Sequence, residues 1–250
     1  MLPVSRNYGN AVDKHLFTGY NEKNSGGGER MNSEWSELNK TMQSQIRKKD
    51  TFRDGIQTLF LLRRKLNETV QGFRNELSRT DFNAVPFIRA KGLHNTSILY
   101  ALWHIFRIED ITAHTLVQGD EQIFFRNGYP SRILSPIITT GNELQSDEIA
   151  AFSGQLDLNE LYAYITEVKE STETILKNLR FEALRQHIPD ERKALLQSLH
   201  VVSNAPEAAW LTDYWCGKDI GGIIRMPFSR HWIMHIEACL RIRDQLQKQK

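Results

Sequence analysis

His231 and His235 stand four residues apart in the stretch Phe228-Ser-Arg-His231-Trp-Ile-Met-His235-Ile-Glu237. On a helix that step leaves two side chains about 40° apart, one turn above the other. This is the spacing with which a helix offers two imidazoles to one metal ion. The same face continues through Ala238, Ile242 and Leu246, so both rings point toward a core. Each ring carries polar nitrogens that must find a partner there. A shared metal is one way to supply it, and ordinary hydrogen bonds to neighbouring groups are the other. Glu237 falls roughly 240° from His231, which assigns it a structural or capping role. Cys239 lies one turn beyond His235, where it reads either as a thiolate for a soft metal or as a small buried hydrophobe.

The elements that must position these rings are helices. Phe52, Ile56, Leu59, Leu66, Val70, Phe73 and Leu77 recur at threes, fours and one seven, with Asp50 or Thr51 as N-cap. A second helix is predicted from near Asn95 or Thr96 to about Val117. On it Ser97, Tyr100, Ala101, Ile108, Ile111 and Thr115 share the side of His104, while Leu99, Leu102 and Phe106 take the other. Leu158, Leu161, Ile165, Val168, Thr172, Ile175 and Leu179 mark a third, with Pro189 at or just after its end. The fourth carries His231 and His235 and has Pro227 in its first turn. Shorter helices are expected over 33–47, 190–200 and 206–216, and connections over 78–91 and 118–150. No stretch of period-two alternation competes with them. The expected fold is all-α, a four-helix bundle with short accessory helices. It spans residues 33–250, and residues 1–32 form a disordered N-terminal extension around the run Gly26-Gly27-Gly28. The string Gly-Gly-Gly-Glu-Arg-Met31 also back-translates to a ribosome-binding site before a start codon, which makes Met31 a candidate natural start.

Composition narrows the partners. With 32 basic and 30 acidic side chains the net charge is +2, which gives no footprint for nucleic acid or a membrane surface. No run of 18 apolar residues occurs, so no membrane span is expected. Cys216 and Cys239 are the only cysteines, which argues against a disulfide framework and for a cytoplasmic location.

Trp103-His104-Ile105-x-x-Ile108-Glu109, then His231-x3-His235-x-Glu237, resembles the DinB/YfiT-like superfamily in order and spacing. Trp210-Leu-x-Asp-Tyr-Trp215 and Met226-Pro227-x-x-Arg230-His231-Trp232 add to the resemblance, which covers roughly residues 50–248. It implies a four-helix bundle in which His104, His231 and His235 surround a divalent metal such as zinc, nickel or iron. Three imidazoles with open positions make a site of the catalytic type. It further implies a thiol-dependent S-transferase that uses a low-molecular-weight thiol, such as bacillithiol or mycothiol, on small electrophiles. Neighbours of the ligands are then expected to line a substrate pocket: Tyr100 and Arg107 beside His104, Phe228 and Met234 beside His231. Arg107 or Arg230 would hold a carboxylate of the thiol. The alternative is a non-catalytic metal-binding bundle, acting as a sensor or dimeric interaction module. Ile233, Ile236 and Leu240 form a second apolar stripe that would serve as a homodimer surface or pack on the short N-terminal helix. A hydrolase using metal-bound water comes third, because no carboxylate is placed by sequence as its general base.

Overall fold

The computed structural model describes residues 32–89 and 92–250, and the expectations for residues 1–31, Met31 included, lie outside them. The chain is all-α: among the described residues the only strand-like feature is one isolated bridge between His187 and Asp219. Four long segments build the interior. They are α2 (Phe52–Glu76), α4 (Ile98–Asp110) continued by a π-helical segment (Ile111–Gln118), α8 (Leu158–Asn178), and α12 (His231–Lys248), entered through a second π-helical segment (Met226–Arg230). α4 packs against α8 and α12, and α2 closes the ring by touching both.

The apolar stripe of α2 is buried as its periodicity predicts, from Phe52 to Phe73. The seven-residue gap between Leu59 and Leu66 holds Leu62 and Arg63, both buried. α1 (Ser33–Gln45) lies along α2, with Trp35 and Met42 inward. Gly55 makes that approach close, because a β-carbon there would sit 2.5 Å from Ile46 Cγ2. Every residue of α4 is buried, the consequence of a helix that is apolar on two faces. Its N-cap is Ser97, whose hydroxyl accepts from the Tyr100 N–H.

Several boundaries depart from the sequence reading. The third long helix stops at Asn178, where Leu179 turns extended, well before Pro189. The connection 78–91 contains α3 (Arg79–Asn83), started by a reciprocal cap between Ser78 and Asp81. The loop 118–150 contains α5 (Ile123–Arg126), α6 (Tyr129–Arg132) and the start of α7 (Asp147–Gln155). The expected short helices 190–200 and 206–216 are α9 (Asp190–Ser198) and α10 (Pro206–Cys216). Gly221 and Gly222 are helical. They lie in α11 (Ile220–Arg225), which Asp219 caps and which runs straight into the π turn. Ile233 and Ile236 are buried in the chain's own core alongside Trp35, with Leu240 packed on its margin. That stripe is therefore covered from within and is not a free dimer surface. No described helix is long and apolar enough to cross a membrane.

Candidate metal centre

α4 supplies His104 and α12 supplies His231 and His235, one turn apart. Each ring offers one ligand nitrogen, and these nitrogens all lie within 4.8 Å of one another. His104 Nε2 and His231 Nε2 are 3.3 Å apart. Two nitrogens on one ion at about 2.0–2.1 Å, near the tetrahedral angle, are separated by roughly that distance. The rings are only 5% (His104), 7% (His231) and 7% (His235) exposed.

His104 Nδ1 lies 2.8 Å from the Thr140 carbonyl oxygen. A carbonyl only accepts, so Nδ1 carries the proton and Nε2 presents its lone pair. This is the outer-shell bond that orients a metal-binding imidazole. Burial pushes the His104 imidazole down to about 4, opposed by the Thr140 carbonyl. Burial likewise holds His231 well below its usual range, helped by His104, and His235 by burial, His231 and His104 in turn. Three neutral imidazoles at neutral pH are three available donors. Nδ1 of His231 and Nδ1 of His235 are buried and have no hydrogen-bond partner. The donor set and its spacing fit a cation among the rings.

The loop that crosses this face of α4 is held by three side chains at successive turns. Tyr100 donates to the Gly141 carbonyl (2.7 Å), His104 to that of Thr140, and Arg107 to that of Ile138 (3.0 and 2.8 Å). Tyr100 also stacks on His104, with centroids 5.7 Å apart and planes at 12°. Arg107 thus has different work from the thiol contact expected of it. Its guanidinium is fully buried, bonds the loop backbone and lies 4.3 Å from the centre of the Phe124 ring. Phe228 is fully buried in the second core cluster, beside Ile223 and Ile224, rather than lining a pocket with the histidines. Arg230 is exposed and Met234 is buried at 8%. Glu237 accepts from the Asn32 N–H at the start of α1, the capping role its helical angle implies. Cys239 sits in the apolar core, where burial pushes its thiol far up, so it behaves as a small hydrophobe.

Sequence reasoning missed Thr140, whose contribution is a backbone atom and leaves no residue-type signal. It also missed Glu143 on the same loop, whose Oε2 is buried without a partner and whose charge helps raise the Tyr100 phenol. His114 went unread as well. Its Nδ1 is 2.6 Å from Asp120 Oδ1 and its Nε2 is 3.0 Å from Ser171 Oγ. Those distances suit a nucleophile–base–acid relay, but Ser171 lies inside α8 with its own N–H committed to the helix. The arrangement satisfies a buried ring without supplying a hole for an oxyanion.

No family model, curated protein or solved structure matches the chain.

Proposed function

We propose that His104, His231 and His235 hold one divalent metal ion, and that the chain works as a metal-dependent S-transferase of the DinB/YfiT-like kind. The observation that carries the metal is the convergence of three buried neutral imidazoles, with His104 Nε2 and His231 Nε2 3.3 Å apart and the His104 tautomer already fixed for ligation. The order and spacing of Trp103-His104 and His231-x3-His235 support the transferase. A bound ion supplies Lewis acidity that stabilises a thiol as thiolate at neutral pH. The chain's own residues do the rest. Thr140 holds the His104 proton on Nδ1, Tyr100 fixes the ring plane, and the surrounding apolar side chains keep water out.

The depth of the rings favours a second reading, a metal-holding bundle without turnover. Metal content by mass spectrometry, on protein purified without an affinity tag, tests the shared premise. About one equivalent is expected in the parent and none in a folded His231→Ala/His235→Ala variant; no metal in either, after incubation with zinc, nickel and iron(II), removes both readings. A cobalt(II)-loaded protein whose spectrum changes when a low-molecular-weight thiol is added supports the transferase. An unchanged spectrum supports the bundle without turnover.

A further inference from the structure

A buried ion pair joins α2 to α4, the helix that carries His104, and its bonds reach all four long segments. Arg63 of α2 is fully buried. Its guanidinium makes two bonds to Glu109 of α4, at 2.9 and 2.7 Å, and one to Glu173 of α8, at 3.2 Å. Its Nη1 also donates to the Phe228 carbonyl at 3.1 Å. Glu109 Oε2 accepts in turn from the Trp232 indole at 2.7 Å, and the guanidinium lies 4.3 Å from the centre of that ring.

Phe228 and Trp232 bracket His231. The His231 N–H bonds Met226 O five residues back, the signature of the π turn. An extra residue in a helix rotates everything beyond it by about 100°. This turn therefore sets the phase in which His231 and His235 face His104. Side-chain donors add to its backbone bonds. Pro227 has no N–H to give, and side chains take up the nearby carbonyls: Ser229 Oγ donates to Ile224 O and Arg225 O, both at 3.0 Å, and Arg63 takes Phe228 O.

We propose that Arg63, held by Glu109, is a positioning residue for the three-histidine centre, fixing the π turn and with it the direction of the His231 and His235 rings. This rests on the metal reading above. Only a guanidinium has the forked, planar donor set that holds a carboxylate with two bonds while giving others to a second carboxylate and a carbonyl. Lysine keeps the charge and loses that fork.

Cobalt(II) affinity by competition with a chromophoric chelator, together with the ligand-field spectrum, tests this on wild type, Arg63→Lys and the neutral double variant Arg63→Met/Glu109→Gln. The double variant avoids an unpaired buried charge, and any variant with a cooperative melt decides. Affinity is expected to fall about tenfold or more, as when ligand-orienting groups are lost, with a changed spectrum while the helical signal is kept. Folded variants with wild-type affinity and spectrum would overturn the proposal and leave the metal reading standing. Wild type that binds no cobalt would overturn both.

Discussion

His104 and Glu109 stand on α4 and meet His231 and Trp232, neighbours on the last helical run, yet the two pairs handle burial in opposite ways. Glu109, Arg63, the Trp232 indole and the Phe228 carbonyl are bonded to one another in one network. Around His104 one nitrogen is held by Thr140, while Nδ1 of His231 and of His235 have none. Burial of histidine as such does not explain the difference, because His114 is 1% exposed and has partners at both nitrogens. A satisfied polar layer holds a fold together. The histidine cluster instead gathers three nitrogens of one donor type within 4.8 Å of one another.

The largest expected effect tests the satisfied layer. Glu109→Ala removes the two-bond partner of a fully buried guanidinium and the acceptor of the Trp232 indole. Breaking such a pair from one side is expected to lower stability by about 3–5 kcal/mol, read from urea unfolding. Arg63→Met/Glu109→Gln should lose less than the single change, since no lone charge remains buried. Equal losses would mean that the layer acts by packing alone.

The unsatisfied layer should appear in the pH dependence of the metal-free protein. His104 has a folded value of about 4 against about 6.5 when unfolded. Below about 6.5 the unfolded chain binds the proton and the folded chain does not, so stability is full above that pH and is lost as pH falls through about 4. His104 alone corresponds to about 3 kcal/mol. Denaturant midpoints between pH 7 and pH 4 check this, and His104→Leu should flatten the slope.

Adding the cation should then distinguish the layers directly. At a free zinc concentration 100 times the dissociation constant, a ligand bound only by the folded state raises stability by about 2.7 kcal/mol. That gain is expected in wild type and absent in His231→Ala/His235→Ala. A gain of the same size in the variant would place the binding elsewhere.

How much of this contrast the sequence carries depends on where each group's partner comes from. The i,i+4 histidines and the inward face of His104 are properties of single helices, so the three-histidine cluster was legible. The all-α class was legible for the same reason, as was the capping role of Glu237. The ion pair left a trace that went unread: Arg63 falls four residues after Leu59 and three before Leu66, directly in the gap of the α2 stripe. Glu109 likewise continues the Leu99, Leu102, Phe106 face by three. A charged residue at an apolar register on each of two helices is a signal for a buried pair. Thr140 could not be found this way, since it acts through its carbonyl. The bonds of Arg107 to the Ile138 carbonyl were not legible either, because the loop backbone that receives them has no sequence pattern.

The smallest effect asks whether that loop belongs to the site. Gly141 has φ +77°, and a β-carbon there would come within 2.9 Å of Tyr100 Cε2. Gly128 has φ +67° with nothing within 4 Å of the added atom. Alanine at either position meets the left-handed penalty of roughly 1–2 kcal/mol, so both substitutions should lower stability, Gly141→Ala the more because of its close approach to Tyr100. Only Gly141→Ala pushes against the ring that stacks on His104 and shifts the carbonyl next to Thr140 O. Chelator competition should therefore show weaker zinc binding for Gly141→Ala and wild-type binding for Gly128→Ala. If both bind zinc as wild type does, the loop covers the histidines without orienting them, and the fixed tautomer of His104 owes nothing to the Tyr100–Gly141 contact.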